Sequence, residues 1–327
     1  MKVLVTGASG FLGSHIAEQL ASDGHTVRVL VRETSDRTFL EGFPYEVAIG
    51  DITDARSLRT VVEGIDGVVH AAGLVKARSE NRFAAVNGTG TANLIAAVQE
   101  AAPDLKRFVY VSSLTAHGPG RDGRPRPLNL PSNPVSAYGR TKLLGEIAVQ
   151  HSPLAACSVI LRMPVIYGPR DPALVPFFQS ARFRFAPLLN GGHNRISVVY
   201  VDDAVSAVIG TLISDADVVG NVYTPEDGKV HTWRDLLAAI ENFIGGKALC
   251  VHVPRLGYDA AALASEAFGK VFRRPVIFTR DKVREMSQDT WVCSADSLKR
   301  DLGWEAKVDI TDGTRRTGQW YRDHEWI

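Results

Sequence analysis

The opening residues constrain this chain more than any other stretch does. Residues 2 to 6, KVLVT, are short, apolar and largely β-branched, the mark of a strand buried on both faces. Directly after them comes TGASGFLG, with Gly7, Gly10 and Gly13 in the spacing GxxGxxG. A helical pattern then runs from about Phe11 to Ser22. A strand that turns on a glycine and opens at once into a helix aims the helix's free N–H groups at the turn. Gly7 permits the tight turn, Gly10 lets a diphosphate approach the backbone, and Gly13 lets helix and sheet pack closely. Three glycines in a loop are weak evidence, but three between such a strand and such a helix are specific. Gly7, Gly10, Phe11, Leu12 and Gly13 are therefore candidate ligand-binding residues.

The same rhythm continues. Strand patterns lie at 25–32, 45–52, 67–73, 107–113 and 158–168, with helical patterns at 54–63, 80–101 and 136–150. Strands alternating with helices predict an α/β fold, a Rossmann-type doubly wound parallel sheet that binds ligands at the carboxyl ends of its strands. From Pro169 the rhythm is lost. The pattern assigns 1–168 to a dinucleotide-binding domain, to which 196–225 returns. Residues 169–195 and 226–327 form a smaller, mixed C-terminal substrate-binding domain. Within it Phe177, Phe178, Phe183 and Phe185 either line an apolar pocket or belong to an ordinary core.

Composition narrows the function classes. The 327 residues carry a net charge of +1, without the basic excess of a nucleic-acid binder. Cys157, Cys250 and Cys293 are odd in number and far apart, which fits a reducing, cytoplasmic setting rather than a disulfide framework or a zinc site. The first apolar run is too short for a signal peptide, and no stretch approaches the roughly 20 apolar residues of a membrane span. Neither a nucleic acid nor a membrane is expected as a partner.

In SAYGRTK, Tyr138 and Lys142 stand four apart, on one face of a helix. Alone, that is a surface pair. After a glycine-rich βα turn and the strand VYVSS, it reads as chemistry. At the end of the second strand an acidic residue would hold the adenosine ribose of NAD. Here Arg32 stands in that place, with Arg37 nearby, and a guanidinium suits the 2′-phosphate of NADP. Glu33 leaves an NAD mode open, and a solvated strand-end charge is the plain alternative for Arg32.

The chain resembles the extended short-chain dehydrogenases/reductases, the group of sugar-nucleotide epimerases, dihydroflavonol reductases and 3β-hydroxysteroid dehydrogenases. The resemblance rests on TGASGFLG, GDITD (50–54), HAAG (70–73), VNGTGTANL (86–94), VYVSS (109–113), YGRTK (138–142), RMPVIYGP (162–169) and VVYVDDAV (198–205), in that order. It implies that Tyr138 exchanges a proton with the substrate oxygen, that Ser113 hydrogen-bonds the same oxygen, and that Lys142 lowers the tyrosine pKa and holds the nicotinamide ribose. It further implies cofactor contacts from Asp51 and Ile52 at the adenine, Ala71, Ala72 and Gly73 after the fourth strand, Ser112, and the backbone of Pro164 and Val165. Asp51 also reads as a turn cap. Lys76 follows in a loop that lines the active site in the proteins the chain resembles, and it reads equally as a solvated loop lysine. Asn87 reads as a tie between helix and sheet. The pair Asp202–Asp203 has no histidine or carboxylate cluster around it, so no metal is expected and Asp203 reads as structural.

NADP(H) is favoured, with NAD(H) open. The leading function is hydride transfer between nicotinamide and a secondary alcohol or ketone. The alternatives are a nucleotide-sugar epimerase or dehydratase with tightly bound NAD, and a non-catalytic sensor, which the presence of Ser113, Tyr138 and Lys142 disfavours. Sugar-nucleotide enzymes of the family place an arginine seven residues before the aspartate of VYVDD. This chain has Ile196 there and Arg195 one earlier, and a one-residue shift along a strand reverses the face. They also often carry an asparagine after the sixth strand, absent from RMPVIYG, whereas 279–291 resembles the reductase branch. A small-molecule substrate is expected, and a homodimer is left open.

Overall fold

Strands β1 (Lys2–Thr6), β2 (Thr26–Val31), β3 (Glu46–Ile49), β4 (Gly67–His70), β5 (Arg107–Ser113) and β6 (Ser158–Met163) form the sheet on which the site is built. The computed structural model describes residues 1–77, 79–272, 276 and 278–327. A short seventh strand, Val222–Tyr223, joins the edge at β6. The spatial order is Val222–Tyr223, β6, β5, β4, β1, β2, β3, and every pairing is parallel. The order reverses between β1 and β4, which opens a crevice at their carboxyl ends.

Period-2 alternation gives this sheet two cores. Val3, Val5, Val69, Val109, Val111, Val159 and Leu161 face one side, where the helices Phe11–Ser22 and Val201–Ile213 cover them. Leu4, Val68, Phe108, Tyr110 and Ile160 face the other, under the helices Thr91–Ala101 and Ala137–Gln150. Because both faces are covered, each strand reads as a continuous apolar run.

Three expectations about elements need correction. Residues 54–63 hold only a short 3₁₀ turn, Ala55–Ser57. The Ser57 hydroxyl bonds the carbonyls of Asp51 and Asp54, and Asp54 accepts from Arg56 N–H, so side chains satisfy backbone groups that a helix would have used. The helical stretch 80–101 contains a π-helical segment, Ala84–Gly90, around Asn87. The sixth strand stops at Met163. Pro164 has no N–H to continue a ladder, and Val165–Tyr167 leaves to pair with Val198–Tyr200 in a separate two-stranded sheet. Of the four phenylalanines, Phe178 is core and Phe177 stacks on Trp233 at 5.4 Å, while Phe183 and Phe185 are exposed, so they do not share a pocket. Among the described residues no helix is long and apolar enough to cross a membrane.

Candidate active site

The glycine turn is tight by construction. Gly7 sits at φ 71°, and a Cβ there would stand 2.7 Å from Ala72 N. A Cβ on Gly13 would strike the Gly7 carbonyl group. Gly10 N–H donates to Gly7 O at 3.0 Å, and Gly10 occupies the N-cap without a side chain to fill it. The first turn of Phe11–Ser22 has no acidic residue. Its N–H groups are thus left for a ligand anion.

This turn floors a groove of about 630 Å³ that contains every predicted site residue but one. Gly7, Gly10, Phe11, Leu12 and Gly13 meet Ala71, Ala72 and Gly73 in the middle. Arg32, Asp51 and Ile52 stand at one end, together with Ser35, Arg82 and Val86. Ser112, Ser113, Tyr138, Lys142 and Pro164 stand at the other. Val165 is the exception: its N–H donates to Ser197 O at 3.3 Å, and Ile166 takes its place in the groove wall. Arg37 and Lys76 lie outside the groove.

At the first end, Asp51 Oδ1 accepts from Thr53 N (2.8 Å) and Thr53 Oγ1 (2.7 Å), so the turn-cap role is real. Burial works to raise its pKa, but the Thr53 bonds and the charges of Arg32 and Arg82 outweigh it and leave the carboxyl below its ordinary value.

At the other end, Ser113 ends β5 and accepts from Thr115 N at 3.2 Å and Thr115 Oγ1 at 2.8 Å. Tyr138 lies in the first turn of Ala137–Gln150, where Ser136 Oγ accepts from Gly139 N. Lys142 is only 4% exposed. Its Nζ donates to Val111 O at 2.7 Å and lies 4.2 Å from the centre of the Tyr110 ring. Burial pushes this lysine down to about 7, against a smaller opposing pull from Glu146. Burial pushes Tyr138 up to about 12; Ser113 lowers it in part and the Glu285 charge raises it further. The expected depression of the Tyr138 pKa by Lys142 is therefore not found: a lysine whose own charge is disfavoured by desolvation is a poor electrostatic lever.

Ser112 lines the groove, yet its hydroxyl donates to Glu146 Oε1 at 2.5 Å. Glu146 also takes a buried two-pronged ion pair from Arg162, at 2.8 to 3.3 Å. Sequence reasoning missed this pair, although Glu146 falls four residues after Lys142 on the same stripe. It also missed Asp281 and Glu285, which bind Ala137 N (2.7 Å) and Ser136 Oγ (2.6 Å) at the start of the Tyr138 helix. No local signal could find partners so far along the chain. Asn87 ties both sides together: it bonds Leu74 N and O after β4, and Thr141 Oγ1 beside Lys142. Asp171 also reaches the groove wall. Its Oδ1 accepts from Ala173 N, its Oδ2 is buried without a hydrogen-bond partner, and burial raises it to about 7.

Two further residues bear on substrate. Ile196 is 0% exposed, whereas Arg195 is exposed and lays its guanidinium against Gly123. Asp203 accepts from Lys307 N at 3.0 Å and Val308 N at 2.9 Å, which gives its carboxylate a structural role.

The sequence model of the NAD dependent epimerase/dehydratase family matches residues 3–224. This chain belongs to that family. It is an NAD(P)-dependent oxidoreductase of the extended short-chain type. It is similar to the ceramide reductase of Caulobacter vibrioides, at 31% identity over 99% of this chain and 96% of the relative. It is also similar to the 2-alkyl-3-oxoalkanoate reductase of Stenotrophomonas maltophilia, at 28% identity over 97% and 98%. Among solved structures, gox2253 aligns with a TM-score of 0.82 and 26% identity, covering 99% of each chain. The groove of this family member fits a nicotinamide dinucleotide in its donors as well as its shape. Uncapped N–H groups stand where a diphosphate would lie, and two arginines stand at the adenosine end.

Proposed function

We propose that the protein is an NADPH-dependent ketoreductase acting on a lipophilic ketone. The observation that carries this reading is the register at Arg195–Ile196. The position that would hold a diphosphate-gripping arginine is a fully buried isoleucine, and the neighbouring arginine is turned outward. A nucleotide sugar thus lacks its anchor, while Leu74, Val75, Met163, Pro164 and Ile166, which line the same groove as Tyr138, suit an apolar substrate. The names of the two reductase relatives, which specify a ceramide and an alkyl-substituted oxoalkanoate, support the same class.

When bound, the reduced nicotinamide supplies the hydride. Tyr138 gives its Oη proton to the substrate oxygen as that oxygen gains charge. A phenol held at about 12 is in the protonated form needed to donate. Ser113 Oγ donates a second hydrogen bond to the same oxygen. Lys142 would hold the nicotinamide ribose and return a proton to Tyr138. Arg32 and Arg82, whose charges both bear on Asp51, would hold the 2′-phosphate. The free thiols of Cys157, Cys250 and Cys293 support a reducing, cytoplasmic setting.

Arg32→Asp shifts preference from NADPH toward NADH. A lost charge-assisted phosphate contact corresponds to roughly 1.5–3 kcal/mol, or about 10- to 100-fold in affinity. Fluorescence titration of both cofactors against both proteins measures it, and a wild type that prefers NADH removes Arg32 from this role.

The function itself is tested by what the purified protein carries and what stabilises it. A reductase exchanges its cofactor at every turnover. After dialysis and denaturation, the supernatant should hold little nicotinamide, and added NADPH should raise Tm through ligand linkage. A ketone with a long alkyl chain should drive NADPH oxidation, and nucleotide sugars should leave Tm unchanged. Stoichiometric NAD in the supernatant together with stabilisation by a nucleotide sugar would overturn the proposal in favour of an epimerase or dehydratase.

A further inference from the structure

Ser112 and Ser113 are neighbours at the end of β5, yet their hydroxyl protons are committed differently. Ser112 Oγ donates to Glu146 Oε1, so its proton points into the buried ion pair with Arg162. Ser113 Oγ instead receives two hydrogen bonds from a single residue, from Thr115 N at 3.2 Å and from Thr115 Oγ1 at 2.8 Å. A hydroxyl oxygen has two lone pairs and one proton. The Thr115 N–H can only donate, and it occupies one lone pair. With the second filled by Thr115 Oγ1, Ser113 has only its own proton left to offer. Ser113 and Tyr138 both line the groove, and the Ser113 hydroxyl lowers the Tyr138 pKa, as a proton directed at the phenol oxygen does. Thr115 itself stands outside the groove wall. It lies in the one-turn helix Leu114–His117, which Ser113 caps. Its carbonyl is packed against Gly139 in the first turn of the Tyr138 helix, so closely that a Cβ on Gly139 would strike it. The donor to Ser113 and the helix that carries Tyr138 are thus fixed to each other directly.

We propose that Thr115 is a positioning residue for the reduction: by donating its side-chain proton to Ser113 Oγ it fills that oxygen's second lone pair and turns the Ser113 proton toward the substrate oxygen. The inference rests on the reading of Ser113 as a donor to that oxygen. With the Thr115 N–H bond alone, one lone pair would stay open, and the Ser113 O–H could turn away from the groove. A donor stabilises a developing oxyanion most when its direction is set before the charge appears, because no reorientation is then needed as hydride arrives. Thr115 supplies that setting without touching substrate or cofactor. A side chain of the same shape but without a hydroxyl keeps the backbone bond to Ser113 and loses only the orienting one.

The test begins with Thr115→Val. Ketone turnover should fall about 3- to 10-fold, the range of one neutral hydrogen bond, while the Kd for NADPH stays at the wild-type level. Thr115→Ser keeps the hydroxyl and should restore turnover, and Thr115→Ala should repeat the loss without a branched side chain. If Thr115 acts only through Ser113, the loss vanishes in a Ser113→Ala background, where Thr115→Val should change turnover by less than about twofold. Neutron diffraction from a deuterium-exchanged crystal of the wild type reads the arrangement with no substrate and no variant. It should place the Thr115 deuteron between the two oxygens and the Ser113 deuteron on the groove side. The proposal is overturned if Thr115→Val and Thr115→Ala turn over at the wild-type level, if serine fails to rescue, or if the loss is the same with and without Ser113. It is equally overturned if the Ser113 deuteron points at Thr115. A parallel loss of NADPH affinity overturns it too, because the residue is then structural. Wild type that reduces no ketone defeats the proposed reduction, and the neutron density alone then decides whether Thr115 sets the direction of Ser113.

Discussion

Phenylalanine in place of Tyr138 lowers ketone turnover by about 10²- to 10⁴-fold, the usual range for removing a general acid, while NADPH affinity stays at the wild-type level. Only Oη is lost. The ring keeps its neighbour Phe83, at 6.2 Å between centres, and the helix keeps its Ser136 cap. Because the groove, Lys142 and Ser113 are untouched, the loss belongs to proton transfer. Steady-state kinetics with a fluorescence titration of NADPH separates the two quantities. Turnover near the wild-type level would remove Tyr138 from its role, and a matching loss of cofactor affinity would make that role structural.

Lys142→Met has two effects. The first is on the site: rate and cofactor affinity both fall, because ribose anchoring and the proton return to Tyr138 disappear together. A variant slowed with unchanged affinity would contradict the anchoring role. The second effect is on stability against pH. Burial holds the folded-state pKa of Lys142 at about 7, below its ordinary value of 10.5. Between those values the unfolded chain binds a proton that the folded chain does not, so this group makes folding stability rise with pH. The rise begins near pH 7 and is complete above about pH 10; below pH 7 the fold carries the full cost of the buried charge. Methionine has no such titration. Relative to the variant, wild type should gain on the order of a few kcal/mol across that window. Thermal melts of both proteins at a series of pH values give the difference, in which the other titrating groups cancel. Parallel profiles would show that Lys142 keeps an ordinary pKa.

Most of the groove was legible because its residues sit at the carboxyl ends of strands that the chain announces locally. Gly7 to Gly13 follow β1, Arg32 follows β2, Ala71 to Gly73 follow β4, and Ser112 and Ser113 end β5. Each is marked by an apolar run and its stop. The misreadings share a cause. At 54–63 the hydroxyl of Ser57 and the carboxylate of Asp54 captured backbone groups that a helix needs. At Pro164 one missing N–H sent Val165 into another sheet. Single side-chain bonds of this kind leave little trace in periodicity. Asp281 and Glu285 were out of reach for a different reason, since nothing in a helix near the C-terminal end of the chain says that it will cap the helix of Tyr138.

The amino-acid sequence by itself determined the parallel sheet, the glycine turn, the pairing of Tyr138 with Lys142 and the offset of Arg195 from Ile196, because each is a matter of spacing along a strand or a helix. The tertiary structure alone decided the protonation of that pair. Burial is the main cause of both shifts, of Lys142 against Tyr110 and Val111 and of Tyr138 beside Phe83 and Ser113, and desolvation depends on what packs around a group rather than on what precedes it. It also decided the direction of the helix Arg255–Val271. Periodicity reveals an apolar stripe but not which way it faces, and only the packing of Ala262 and Gly269 inward leaves Leu256, Leu263 and Val271 turned to solvent.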